Sequence, residues 1–146
     1  LAYGADLPLL PVSTLEALAI SAFKEEGADK IVAAIDARMD EIYVASYRMN
    51  EGLPAVELPE QVCAPGTLTL ESDDYLAVGS GWRYVDDMTD TLRQSVQISS
   101  ETYYPSALCM LTLASAAWEE GKAISPELAL PVYLRDQVAW KKKDQQ

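Results

Sequence analysis

Histidine is absent from the 146-residue sequence, cysteine occurs twice, and only 11 basic residues oppose 23 acidic ones, which gives a net charge of −12. Without histidine there can be no Ser-His-Asp triad, no HExxH zinc site and no histidine general base. Cys63 and Cys109 alone cannot supply a four-ligand zinc site or a disulfide framework. Because so acidic a surface repels phosphate backbones, we expect this chain to contact nucleic acid only indirectly.

Long apolar runs are also missing. No stretch of about 18 apolar residues could span a bilayer, and no basic-then-apolar leader opens the chain. The apolar fraction of 49% and the charged fraction of 23% are ordinary for a soluble globular protein, and the length suits one domain. We therefore expect a cytoplasmic protein with no membrane partner.

The first part of the chain predicts a helix between two strands. The proline-bounded apolar run over residues 8–12 favours a strand, and Ser13 with Glu16 fits a capping box at a helix start. Residues 31–35 form the next apolar run, so the order predicts a parallel β-α-β unit. The helix residues that we expect to face the sheet are Leu15, Leu18 and Ala22.

Further along, strands and helices alternate without an internal repeat. The charged stretch 36–41 joins two β-rich segments and predicts a hairpin turn. Residues 75–78 predict a buried strand, followed by a glycine turn and a helix over 82–94. Another helix begins near Pro105 and ends near Gly121. Together these elements predict an α/β fold with a mixed sheet flanked by helices.

Two polar turns are candidate binding sites. In the hairpin, Asp36, Arg38 and Asp40 could hold a phosphate or, through the carboxylates, Mg²⁺, and the alternative is a solvated turn. Gly79 and Gly81 lie between a strand and a helix, as in nucleotide loops, but the full dinucleotide fingerprint and the GK[ST] of a P-loop are missing. The alternative is that a tight strand-to-helix turn simply needs small residues.

The cysteines and the C-terminal stretch favour structural roles. Cys109 lies on the apolar side of a predicted helix and is expected in the core. Tyr133 and Trp140 are too apolar for a free tail, so we expect them to pack onto the domain, with Arg135 pairing an acidic residue. The lysines over 141–143 could contact RNA instead, but the overall negative charge favours a packed tail.

Three separated segments carry a family resemblance. Residues 36–43 (DARMDEIY) are similar to an "IDARMGEVY" segment, and residues 131–142 are similar to a "P-x-YLR-x-x-VAWKK" ending. Residues 1–15 are similar to a mid-chain "GLALG-x-x-(I/L)P…GVSTL" segment, and order and spacing agree along the whole sequence. The sequence thus resembles the TsaB (YeaZ) family of glycoprotease-like proteins (peptidase M22, Gcp).

The resemblance implies the actin-like ATPase fold of sugar kinases and Hsp70. Family members begin with a β-hairpin and a "GPGSFTGxR" motif that this sequence lacks, so we expect a fragment without the N-terminal third and with one complete lobe. Residues 1–30 would be a remnant of the N-terminal lobe, residues 31–130 the C-terminal lobe, and residues 131–146 a packed tail.

The resemblance also implies a role in N6-threonylcarbamoyladenosine (t6A) modification of tRNA. The chain would be a non-catalytic scaffold beside the catalytic paralogue TsaD and the ATPase TsaE, with no cofactor, no metal and no catalytic residue, and a homodimer is compatible with this role. TsaD-like proteins hold metal with histidines, which this chain lacks. Asp40 stands where the family usually has glycine, and its carboxylate would repel a phosphate. The alternative function is an M22-type peptidase or a nucleotide hydrolase.

Overall fold

The computed structural model describes residues 1–101 and 104–135. In this part of the chain one five-stranded mixed sheet has the order β3-β2-β1-β4-β5. The strands are β1 (Lys30–Arg38), β2 (Glu41–Asn50), β3 (Leu53–Cys63), β4 (Tyr75–Val78) and β5 (Val96–Ile98). The α-helices are α1 (Ala2–Ala5), α2 (Thr14–Glu26), α3 (Asp90–Gln94) and α4 (Ala107–Glu119). Short 3-10 segments cover Pro65–Thr67, Ser80–Asp87 and Pro126–Leu128.

The sheet separates two apolar clusters. Side chains alternate along β1, so that Ile31 and Ala33 face α2, whereas Val32 and Ala34 face the Ser80–Asp87 segment and α3. Helix α4 packs outside α2 and contributes the buried Cys109 to the first cluster. The α/β prediction, with a mixed sheet flanked by helices and Cys109 in the core, is confirmed. The predicted sheet-facing residues Leu15, Leu18 and Ala22 are also buried.

The hairpin and the start of α2 follow the sequence closely. Strands β1 and β2 pair antiparallel around the predicted turn. Ser13 precedes α2 and accepts hydrogen bonds from the backbone amides of Leu15 and Glu16 at 3.1 and 3.3 Å, which confirms the predicted cap. Gly27 ends the helix with φ 69°, a left-handed conformation that favours glycine.

The predicted β-α-β unit is wrong. Residues 8–12 add no strand to the sheet, because Leu9 makes only an isolated antiparallel bridge with Ile124. Pro8 and Pro11 flank this residue and have no amide to donate to a ladder. The parallel partner of β1 is instead β4, which the chain reaches only after β2 and β3.

The predicted helix over 82–94 is also wrong. The chain forms the 3-10 segment Ser80–Asp87 and then the short helix α3. The side chain of Thr89 accepts a hydrogen bond from the Leu92 amide at 3.2 Å and so caps a new helix in the middle of the predicted one. The 3-10 segment packs against β1, and this contact with the sheet replaces the continuous helix.

The C-terminal stretch is only partly as expected. Tyr133 is 79% exposed, so its predicted packing is wrong. Arg135 pairs with Glu41, which confirms the predicted ion pair. Trp140 lies outside the described residues. In the described ranges no helix is both long and apolar enough to cross a membrane.

Candidate functional site

The turn between β1 and β2 has an unusual backbone. Arg38, Met39 and Asp40 are consecutive, exposed and left-handed, with φ of 65°, 58° and 59°. Such tight hairpins normally place Asn or Gly at these positions, and a left-handed residue with a Cβ costs roughly 1–2 kcal/mol. Asp40, at the position where the sequence comparison expected glycine, therefore adds strain as well as charge to the turn.

Asp36 is the most heavily bonded carboxylate at this turn. Its Oδ1 accepts hydrogen bonds from the Arg38 amide at 2.8 Å and the Tyr84 hydroxyl at 3.2 Å, and its Oδ2 lies 3.4 Å from Nη1 of Arg83. The Arg38 amide is the main influence that holds the pKa of Asp36 below its usual value, with the Tyr84 hydroxyl and the arginine charges adding to it. Asp36 is thus held as a carboxylate by the protein's own donors.

Gly79 and Gly81 pack directly against β1. A Cβ on Gly79 would lie 2.3 Å from the carbonyl oxygen of Ala34, and a Cβ on Gly81 would lie 2.7 Å from the Ala34 Cβ. Gly79 also has φ 98°. Both positions need glycine for this close approach, which is a sufficient physical reason for the small residues in the turn.

The structure brings together only some of the predicted site residues. The Asp36 amide donates to Oγ of Ser80 at 3.2 Å, so Asp36 and the 79–81 turn form one site. Arg38 contributes its amide and its charge to Asp36. Asp40 is exposed at the tip of the turn.

Sequence reasoning missed Arg83 and Tyr84 as partners of this site, and it predicted only the acidic partner of Arg135. Arg83 and Tyr84 follow the glycine turn directly, and that proximity to a predicted site is the signal that could have found them. Arg135 was expected to pair an acid, but its other contacts were not foreseen. Its Nη2 donates to the carbonyl oxygens of Ala37 at 3.1 Å and Arg38 at 3.3 Å.

A cavity of about 610 Å³ lies beside this turn, between the start of α2, the sheet and residues 130–134. Its polar groups include Ser13, whose hydroxyl donates to the Glu60 carboxylate. Nearby, the fully buried Tyr47 hydroxyl has no hydrogen-bond partner among the described residues. Burial raises the pKa of Tyr47, and the charges of Glu60 and Glu16 raise it further.

Glu16 is a half-buried acid close to Glu60 and Tyr47. Burial is the main cause that raises its pKa, and the neighbouring charge of Glu60 raises it further. Across residues 1–101 and 104–135, no three His, Cys, Asp or Glu side chains are grouped so that they could hold a metal ion. The charge of Glu60 thus acts on both Glu16 and Tyr47.

The family model for TsaD, tRNA N6-adenosine threonylcarbamoyltransferase, matches residues 1–143. The chain belongs to this family. Its relatives include TsaB, the tRNA threonylcarbamoyladenosine biosynthesis protein of Escherichia coli K12, which is 40% identical over 147 residues. TsaB of Haemophilus influenzae is 38% identical over 152 residues. Each alignment covers 97% of this chain and 63% of the relative, so the chain spans less than two thirds of these TsaB proteins.

Solved structures of the TsaB (YeaZ) type agree. The chain is similar to YeaZ from Pseudomonas aeruginosa at 38% identity with a TM-score of 0.82, over 91% of this chain and 62% of that one. A Pseudomonas aeruginosa protein described as similar to the peptidase YeaZ gives a TM-score of 0.83 at 38% identity, over 92% of this chain and 62% of that one. These matches confirm the family resemblance and the actin-like fold expected from it.

Proposed function

We propose that this chain takes part in the biosynthesis of N6-threonylcarbamoyladenosine in tRNA as a non-catalytic subunit that supports a TsaD-type transferase. The names of the TsaB relatives support the pathway. The observation that carries the non-catalytic role is the hydrogen bonding of Asp36. Its carboxylate accepts hydrogen bonds from the Arg38 amide, the Arg83 guanidinium and the Tyr84 hydroxyl.

A carboxylate in this state is a poor general base. Catalytic proton transfer needs a group that can reach the substrate and whose pKa is close to the working pH. Asp36 meets neither condition, because its oxygens bind protein donors and its pKa is lowered further from neutrality. The chain also has no histidine to take over this role. In this proposal the groups that perform the transfer come from a partner subunit.

The net charge of this chain also supports a partner as the main contact of the tRNA. The chain carries a net charge of −12, so it contributes little attraction for the phosphate backbone of tRNA. In this proposal a TsaD-type subunit provides the main tRNA contacts, a TsaE-type ATPase joins the assembly, and this chain contacts tRNA indirectly in the cytoplasm. The proposal also includes a homodimer of this subunit.

Nucleotide binding at the hairpin is an alternative role for the predicted site residues. Asp36, Arg38, Asp40, Gly79 and Gly81 are the positions at which it would occur. The arrangement disfavours it, since the Asp36 oxygens are occupied and Gly79 and Gly81 pack on Ala34. We therefore propose support of TsaD without nucleotide chemistry on this chain.

Reconstitution tests the proposal. The gene product is mixed with TsaD, TsaE, tRNA and threonylcarbamoyl-AMP, and t6A is measured by mass spectrometry with each protein omitted in turn. We expect t6A only when TsaD is present, and less of it when this protein is omitted. The matched control is Asp36→Asn, which should leave the transfer step intact if Asp36 has no catalytic role. Transfer, peptide cleavage or ATP hydrolysis by this protein alone, abolished by Asp36→Asn, would favour the alternative enzyme function.

A further inference from the structure

The three left-handed residues of the β1–β2 turn need an external support. Arg38, Met39 and Asp40 all carry a Cβ, and each is disfavoured at positive φ. Strain of this kind persists only where surrounding contacts fix the conformation. The contacts that reach this turn from outside the hairpin are therefore the ones that can hold it in this conformation.

Arg135 makes such contacts from the far end of the described chain. A single guanidinium nitrogen, Nη2, donates to the carbonyl oxygens of Ala37 at 3.1 Å and Arg38 at 3.3 Å and also pairs with the Glu41 carboxylate. Nη1 lies 3.8 Å from the sulfur of Met39. The Arg135 side chain is only 17% exposed, unlike the surface arginines Arg48 and Arg83 at 52% and 60%.

The contacts bracket the strained residues. Ala37 precedes the left-handed residues, Arg38 is the first of them, and Glu41 follows them. One guanidinium group therefore contacts both sides of the turn. A lysine ammonium also has three donors on one nitrogen, but its stem is flexible and it has no second nitrogen for the Met39 sulfur, whereas the rigid guanidinium places Nη2 on the three oxygens and Nη1 beside that sulfur. The chemistry of the site therefore favours arginine in particular.

We propose that Arg135 is a positioning residue, which docks the C-terminal segment onto the β1–β2 turn and holds that turn in its left-handed conformation. The turn also orients Asp36, because the amide of the left-handed residue Arg38 donates a hydrogen bond to the Asp36 carboxylate. Docking of residues 130–135 and the geometry of the Asp36 site are then coupled. The segment that Arg135 docks also lines the cavity beside α2, through Leu130, Pro131, Val132 and Leu134.

Nuclear magnetic resonance tests this directly on the isotope-labelled protein. A positive φ brings the amide and α protons of one residue close together and gives a strong intraresidue NOE. We expect these NOEs at Met39 and Asp40 in the wild type, their loss in Arg135→Ala, and their weakening in Arg135→Lys. The matched control is Arg93→Ala, which removes a surface arginine paired with Asp90 on α3 and should leave the turn signals unchanged.

A double variant distinguishes positioning from general stabilisation. Glycine adopts positive φ freely, so Asp40→Gly should relieve part of the strain and restore the intraresidue NOE at Met39 in the Arg135→Ala background. A merely structural loss of the Arg135–Glu41 pair would not be repaired by a change at Asp40. Unchanged NOEs in both Arg135→Ala and Arg135→Lys would overturn the proposal. Arg135→Lys keeps this test decisive if the alanine variant does not fold.

A functional readout follows from the proposed role in t6A synthesis and rests on it. In the reconstituted reaction, Arg135→Ala should lower the stimulation of TsaD, and Asp40→Gly should recover it. If the wild-type protein gives no stimulation, the proposed function fails while the NOEs still decide the role of Arg135. If the wild type stimulates and Arg135→Ala does so equally with its NOEs retained, only the positioning role fails.

Discussion

The α-carbon of Gly79 lies so close to β1 that a Cβ there would be 2.3 Å from the carbonyl oxygen of Ala34. Atoms at that distance overlap, and Ala34 is itself fully buried in the close-packed core, so its carbonyl cannot shift easily. The contact fixes the distance between β1 and the segment that carries Arg83 and Tyr84, and therefore the geometry around Asp36.

Gly79→Ala and Gly81→Ala should each destabilise the protein by about 1–3 kcal/mol, since both overpack the site, and Gly79 adds strain from its positive φ. Urea unfolding measures the change. Gly4→Ala is the matched control, because a Cβ at Gly4 has no neighbour within 4 Å. Equal stability of all three variants would contradict the packing role.

Ser13→Ala should cost about 1 kcal/mol of stability, because it removes the acceptor for the Leu15 and Glu16 amides and the donor to Glu60. Ser13→Thr keeps a hydroxyl in the same place and should retain most of that stability. Thermal and urea unfolding compare the two variants. If Thr and Ala were equally harmful, volume rather than capping would explain the effect.

Asp36→Asn should remove a pH-dependent part of the stability. The folded pKa of Asp36 is lowered, so the carboxylate stabilises the fold above the ordinary aspartate pKa of about 3.9, and this contribution is lost as the pH falls through the lower folded pKa. The wild type should exceed the variant most at neutral pH, and the difference should shrink in acid. Unfolding at several pH values measures it, and a difference that does not vary with pH would refute the assignment.

Glu16→Gln should change stability in the opposite sense. The folded pKa of Glu16 is raised by burial and by Glu60, so its favourable contribution is present below the ordinary value of about 4.3 and is lost as the pH rises through the higher folded pKa. The variant should therefore gain on the wild type as the pH rises towards neutrality. Glu119→Gln, on the exposed end of α4, is the control and should show a smaller trend.

Local elements of the fold could be predicted because their signals are local. The Ser13 cap and the Gly27 end define α2 within one stretch of chain, and the charged segment 36–41 lies between two strands that pair with each other. The parallel partner of β1 could not be identified this way. Pairing with β4 depends on packing across the whole sheet, whereas the prolines near Leu9 weaken the nearest candidate strand.

The sequence predicts two separate polar turns but not the contacts that join them. Asp36 and the glycine turn were expected separately, and the hydrogen bond through Ser80 that unites them joins residues 44 positions apart. The contact of Arg135 with Ala37 spans 98 positions, and no local pattern reports such a distance. The prediction that Tyr133 packs onto the domain failed for a related reason. An apolar residue indicates packing, but it does not identify the surface that would cover it.

The t6A content of tRNA in cells depleted of this protein, with TsaD retained, tests the central claim most directly. The account predicts that t6A falls on depletion and that both the wild-type gene and the Asp36→Asn gene restore it, because the protein supports the transfer without performing it. Unchanged t6A after depletion would contradict a role in the pathway. Restoration by the wild type but not by a folded Asp36→Asn protein would contradict the non-catalytic role.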